Sequence, residues 1–167
     1  MLDTMIRYLA GVHDRMTAYN LKQILQPCID SLSSGPLTNP ALVISAGGAT
    51  TAKIGAADFY AIANGVLVKV AAATVLPALT GINAGAGAFN VALFFVSSAG
   101  TVTVLGGTAG ATIGAIKFPV PTKNCALIGT LLITYASAFT GGTTALDTAT
   151  TVYISATDGY DASALTG

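Results

Sequence analysis

The stretch between Lys69 and Lys117 contains no charged side chain, and this limits the structures that the chain can form. Its longest wholly apolar run, Val91 to Val96, is far shorter than the about 20 residues that a membrane-spanning helix needs. Pro77 and many glycines, threonines and serines interrupt the remainder. Short apolar runs bounded by such residues are typical of strands that are buried on both faces. The stretch therefore predicts a β-rich core and no membrane span.

The chain as a whole is sparsely charged. Only 8% of its 167 residues are charged and 53% are hydrophobic, whereas about 25% are charged in a typical soluble domain. A compact monomer of 16.6 kDa would expose roughly 7,600 Å². Its 7 basic and 7 acidic side chains would then lie at about one per 500 Å². Such a surface disfavours a soluble monomer, so we expect a homo-oligomer that buries surface against sister copies or a larger partner.

The net charge is zero, and this balance argues against a nucleic-acid partner. The N-terminus also lacks the basic region, apolar core and small-residue cleavage site of a secretion signal. We therefore expect synthesis in the cytoplasm, without a signal or a membrane anchor.

The first 32 residues have helical periodicity. Apolar side chains recur at alternating spacings of three and four, which places them in one stripe along a helix. The stripe consists of Leu2, Met5, Leu9, Val12, Met16 and Tyr19. A lone helix of this length is marginal in water and needs a surface to dock on. We predict an N-terminal helical arm over residues 1–32 that binds a partner or sister subunit, with docking on its own β domain as the alternative.

Residues 33–40 contain serines, a glycine and two prolines, a composition that predicts a linker between the arm and a β domain over residues 41–167. In that domain, Asn64-Gly65 predicts a hairpin between two strand-like runs, Asp58 to Ala63 and Val66 to Ala72. Ser98-Ala99-Gly100 predicts a second hairpin, between Phe89 to Ser97 and Thr101 to Leu105.

Further strands are predicted over four runs with β composition: Ala41 to Ser45, Ala111 to Phe118, Cys125 to Tyr135 and Thr150 to Ala156. The run from Phe89 is apolar on both faces, so we expect an inner strand or one covered by a neighbouring subunit. About seven short strands joined by Gly, Thr and Ala turns favour a mainly β fold: a β-sandwich or jelly-roll-like domain behind the α-helical arm.

Residues with catalytic or metal-binding chemistry are few. His13 is the one histidine, and adjacent Asp14 would point about 100° away from it on a helix, so the two do not pair. Cys28 and Cys125 have no metal or redox spacing and are expected to be buried thiols.

Two further motifs favour turns over ligand sites. Asp158 and Asp161 flank Gly159 and could ligate calcium, but a polar turn is the preferred interpretation. The glycines between Gly106 and Gly110 lack the Lys-Ser/Thr of a phosphate-binding loop. We expect no enzymatic activity, no metal and no cofactor.

Several segments of the β region resemble recurring segments of tailed-phage virion proteins. In chain order they are Phe59-Tyr60-Ala61-Ile62-Ala63-Asn64-Gly65-Val66-Leu67-Val68, Leu79-Thr80-Gly81, Phe89-Asn90-Val91, Ser97-Ser98-Ala99-Gly100-Thr101, Lys117-Phe118-Pro119, Ala126-Leu127-Ile128-Gly129 and Gly141-Gly142-Thr143-Thr144-Ala145-Leu146-Asp147. They are similar to capsid decoration, or cement, proteins. The resemblance implies a β-rich, commonly trimeric protein on the outside of a bacteriophage head that ties major capsid subunits together. It implies no catalytic residues.

The leading hypothesis is thus a structural virion protein located on the capsid surface, assembled as a homotrimer and bound to the major capsid protein. A head fibre, tail or baseplate component is an alternative, although a fibre should contain a repeating shaft and none is visible in the sequence. A carbohydrate-binding β-sandwich is a further alternative, disfavoured because the chain has no Trp and its six Tyr are scattered.

Overall fold

A computed structural model describes residues 34–156. The predicted arm, with Leu2, Met5, Leu9, Val12 and Met16, lies outside the described residues. The described residues are mainly β, in four antiparallel sheets. The strands are β1 Gly35–Pro36, β2 Val43–Ile44, β3 Ala52–Lys53, β4 Phe59–Ala63, β5 Val66–Val70, β6 Asn83–Ala84, β7 Phe89–Ser97, β8 Val102–Gly106, β9 Cys125–Thr134, β10 Phe139–Thr140 and β11 Thr150–Ser155. A 3-10 helix covers Ile113–Ala115.

Two sheets contain the longer strands. A four-stranded sheet has the order β11-β9-β7-β8, and a three-stranded sheet has the order β1-β4-β5. Two short pairs, β2 with β3 and β6 with β10, complete the described fold. In the four-stranded sheet, β9 carries a bulge opposite Phe94 and Phe95, because Gly129 and Leu127 are their partners and Ile128 is extra.

Both predicted hairpins are confirmed. Asn64 and Gly65 join β4 to β5 with φ values of 52° and 75°, the positive pair that a type I′ turn requires. Gly65 has no Cβ to oppose this conformation, and Asn tolerates it. The second turn places Gly100 at φ 78° between β7 and β8, and Ser97 and Thr101 hydrogen-bond across it. Turn chemistry therefore sets the register of both hairpins.

One hydrophobic core is shared by the two larger sheets. Fully buried side chains from the three-stranded sheet include Phe59, Ala61 and Ala63, and those from the four-stranded sheet include Phe94, Ile128 and Leu131. The alternation of buried and less buried residues in β4 follows from the period of two in a strand, which points alternate side chains into this core.

The four-stranded sheet is also covered on its second face. Val91, Leu93 and Phe95 of β7 are buried there with Ile116, and Ile113 packs against them. The prediction that β7 is buried on both faces is therefore confirmed, and the cover comes from the same chain. The predicted strand over Ala111 to Phe118 is wrong: this segment contains the 3-10 helix and folds back so that Lys117 pairs with Thr108.

Gly110 explains why this segment folds back and does not form a strand. A Cβ on Gly110 would come within 2.5 Å of the Ala115 backbone, closer than real Cβ contacts, so only glycine permits this tight fold-back. Burial of Ile116 on β7 then outweighs the β preference of the local sequence.

Other predicted boundaries shift less. β9 and β11 match the predicted strands to within one residue. The strand expected over Ala41 to Ser45 shrinks to Val43–Ile44, because Ala41 adopts φ 46° and donates its N–H to the Asn39 side chain. The segment predicted as a linker contributes β1, which pairs with β4.

Candidate interaction surfaces

The sequence-derived candidates are only partly within the described residues. Leu2, Met5, Leu9, Val12 and Met16, the predicted partner-binding stripe, lie outside them, as do His13, Cys28, Asp158 and Asp161. Cys125 begins β9, where it is partly buried against the second-face cluster of the four-stranded sheet.

Chemistry-bearing groups are dispersed over residues 34–156. In that range no group of three or more His, Cys, Asp or Glu side chains is arranged to hold a metal ion. No helix within residues 34–156 has the length and the apolar character that crossing a membrane requires. The features that single out parts of this surface are exposed apolar side chains.

The first candidate surface is the outer face of the three-stranded sheet, formed by Tyr60 and Ile62 of β4 and Leu67 and Lys69 of β5. These residues alternate with the buried ones, so they point away from the core. Ile62 pairs with Leu67, and Tyr60 pairs with Lys69. Leu67 is 65% exposed, which makes it the most exposed large apolar side chain in the described strands.

β1 extends this outer face, and its Gly35 adds no side chain to it. Gly35 is paired with Ile62, and a Cβ on Gly35 would meet nothing within 4 Å, so Ile62 stays uncovered on that side. Leu37 follows β1, donates its N–H to the Tyr60 carbonyl and is 48% exposed. The outer face thus combines Leu67 and Leu37 at its two sides with the half-buried Tyr60 and Ile62 between them.

The charge on the outer face is neutralised within the chain. Lys69 Nζ lies 2.6 Å from Asp58 Oδ2 and 5.9 Å from the centre of the Tyr60 ring. The hydrogen bond from Lys69, followed by that from the Ala72 N–H, holds the pKa of the Asp58 carboxyl below its ordinary value. The hydrogen bond to Asp58 raises the pKa of Lys69 in turn. Lys69 therefore turns back over its own sheet to a partner on the same chain.

β5 is also an edge strand. It pairs with β4 on one side, and among residues 34–156 no strand pairs with its other side. The two-residue turn makes Ala63 and Val66 a hydrogen-bonded pair, so the alternation of an antiparallel ladder leaves the N–H and C=O groups of Leu67 and Lys69 on the free edge.

The second candidate surface is the proline loop, defined as residues 117–124. Lys117 pairs with Thr108 at one end, and β9 begins directly after the other. Between them Phe118 is 46% exposed and Val120 is 86% exposed. Pro119 and Pro121 flank Val120 and restrict the backbone to extended conformations. The loop therefore presents two apolar side chains on a stiffened backbone.

Asn90 is the buried polar residue of β7, and its role is structural. It is buried, its side-chain amide donates to the Asn83 carbonyl, and its side-chain oxygen accepts the Val91 N–H. Asn83 in turn accepts the Gly141 N–H. The Phe89-Asn90-Val91 and Gly141-Gly142 motifs therefore meet at the β6–β10 pair, where they fix the fold.

The sequence reasoning missed the outer face, although a signal was present. In a strand with one buried face the outward positions are normally polar, yet Ile62 and Leu67 occupy outward positions on either side of the Asn64-Gly65 turn. The Asn64-Gly65 turn was used to predict the hairpin, and the alternation in the two flanking strands would also have identified two apolar residues on its solvent side.

The chain matches no protein-family model, no curated protein and no solved structure. The function of this protein is therefore inferred from its residues and from the surfaces described above.

Proposed function

We propose that this protein is a structural component of a virus particle: a decoration protein that binds the outer surface of a bacteriophage head and stabilises contacts between major capsid subunits. The observation that carries the proposal is that two surfaces of a sparsely charged β scaffold expose apolar side chains: Leu37 and Leu67 on the outer face, and Phe118 and Val120 on the proline loop. Such surfaces are typical of protein–protein contact. The ordered resemblance of the β region to virion proteins directs the proposal to a capsid.

We further propose a β-sandwich or jelly-roll-like arrangement for the β domain and a homotrimer for the assembly. The shared core of the two larger sheets supports the first. The low charge supports self-association, and the resemblance supports the number three.

The proline loop is our candidate contact with the capsid. Its prolines reduce the backbone freedom that is lost on binding, so a larger share of the contact energy appears as affinity. Phe118 and Val120 supply the apolar contact, and Val120 is the most exposed large apolar side chain of the described residues. Lys117 and Lys123 bound the loop and suit an acidic rim on the partner.

Imaging of particles tests the function. Electron cryo-microscopy of heads assembled with and without this protein should show added density on the outer surface only when the protein is present. Density in the tail or baseplate, with bare heads, would contradict the decoration role and favour the alternative virion component.

Binding assays test the two predicted contacts with the capsid. Val120→Asp should weaken co-sedimentation with heads that lack the protein, whereas Val43→Asp, at another exposed apolar residue outside the loop, should not. For the arm, a Leu9→Asp, Met16→Asp double variant should fold but fail to join particles or oligomers. Loss of folding in that variant would make the arm part of the core instead.

A further inference from the structure

We propose that the outer face of the three-stranded sheet, with the free edge of β5, is the surface through which copies of this chain associate. The inference rests on the self-association included in the proposed function and assigns it to a place. Its occupant is a second copy of this chain.

The two larger sheets differ in how their second faces are covered. Apolar side chains occupy both faces of the four-stranded sheet and both faces of the three-stranded sheet. The four-stranded sheet receives Ile113 and Ile116 as a lid on its second face. Leu67, in contrast, keeps 65% of its surface exposed on the outer face of the three-stranded sheet. Leu67 lies beside Ile62 and Tyr60 on this face, and a group of neighbouring apolar side chains that stays uncovered is typical of a contact surface.

The lysine of the edge strand β5 supports the same assignment. One device that keeps other strands away from an edge strand is a charged side chain, especially lysine, whose charge would be buried by pairing. Lys69 is the one charged residue of β5, and its ammonium group is held by Asp58 and lies over the Tyr60 ring. Because this charge is already engaged within the chain, Lys69 protects the edge less than a free lysine would.

The neutral charge of the face and the open strand edges favour a second copy of this chain as the molecule that binds there. The Asp58–Lys69 pair leaves the face electrically neutral, so it offers nothing to an anionic partner such as nucleic acid or a lipid headgroup. A second copy brings an equally neutral apolar surface without like-charge repulsion. It also brings strand edges: β5, β8 and β11 each pair on one side only within the described residues, and β8 and β11 contain no charged residue. Copies of this chain therefore satisfy one another's open edges.

Sedimentation equilibrium of the full chain tests the assignment. The wild type should sediment at a multiple of 16.6 kDa, and Leu67→Asp should weaken association by about tenfold or more, as expected for a central apolar contact residue. Val43→Asp is the matched control, because it places the same charge on another exposed aliphatic strand residue outside this surface and outside the proline loop. It should associate like the wild type.

Leu67→Thr is a second variant that preserves β propensity and serves if the aspartate disrupts folding, as judged by circular dichroism. Wild-type association in a folded Leu67 variant overturns the assignment of the surface and leaves self-association standing. Equal dissociation of the Leu67 and Val43 variants also overturns it, since added charge alone would then explain the effect. A monomeric wild type up to about 100 μM, a weak-binding limit, overturns both the surface and the proposed oligomer.

Discussion

The two larger sheets share one core, but they differ in how their other faces are covered. In the four-stranded sheet, Phe95 is buried on the second face because the segment after β8 folds back and places Ile116 against it. In the three-stranded sheet, Leu67 occupies the equivalent outward position and remains mostly exposed. The two faces have similar chemistry and different cover. Apolar composition alone therefore does not tell the two faces apart, and the course of the chain decides which of them its own residues bury.

The largest effect is expected from Phe95→Ala. The side chain is 4% exposed, and removal of a buried Phe lowers the free energy of unfolding by about 3–5 kcal/mol. Leu67→Ala, measured by urea unfolding at concentrations below those of self-association, should lower it by less than about 1 kcal/mol. Similar losses from both variants would show that the two faces are equally buried.

Removal of the lid should have the next largest effect. Ile116→Ala should lower the free energy of unfolding by about 2–4 kcal/mol, because Ile116 is buried on the second face of the four-stranded sheet. It should also increase binding of an apolar fluorescent dye to the native protein. Ile113→Ala is the control, since Ile113 is only partly buried and should have a smaller effect. An unchanged unfolding curve for Ile116→Ala would remove the lid from the comparison.

A smaller effect is expected at the turn that orients the outer face. Gly65 has φ 75°, where a Cβ costs about 1–2 kcal/mol, so Gly65→Ala should lower the free energy of unfolding by that amount. Gly85 is also open to solvent but has no positive φ, so Gly85→Ala should change it by no more than about 0.5 kcal/mol. Thermal unfolding of the two variants provides the measurement. Equal stability would mean that the turn has another conformation.

The smallest effect concerns the Asp58–Lys69 pair. The pKa of Asp58 is lowered, so its stabilisation is present above the ordinary aspartate pKa and is lost as pH falls through the folded-state pKa. The pKa of Lys69 is raised, so its stabilisation is present below the ordinary lysine pKa and is lost as pH rises through the folded-state pKa. NMR titration should show the pKa of Asp58 rising toward its ordinary value in Lys69→Met. No change in that variant would place Lys69 away from Asp58.

Local chemistry explains which parts of the fold were predictable. The hairpins around Asn64-Gly65 and Ser98-Ala99-Gly100 follow from glycine at positions of positive φ. β9 and β11 follow from long runs of β-forming residues that end at polar or small ones. β1, β3, β6 and β10 were not predicted, because each has only two residues, and β1, β6 and β10 also depend on partners that are distant in the chain.

Some features of the molecule follow from the sequence alone, and others, including those of the candidate surfaces, follow only from the tertiary structure. The amino-acid sequence by itself determined that the described part would be a β structure with two hairpins, because turn conformation belongs to the residues themselves. Only the tertiary structure decided that the segment around Ile116 covers one sheet, that Asp58 neutralises Lys69 and that Leu67 stays exposed. These outcomes depend on which distant segments meet, and packing between distant segments overrides local preference.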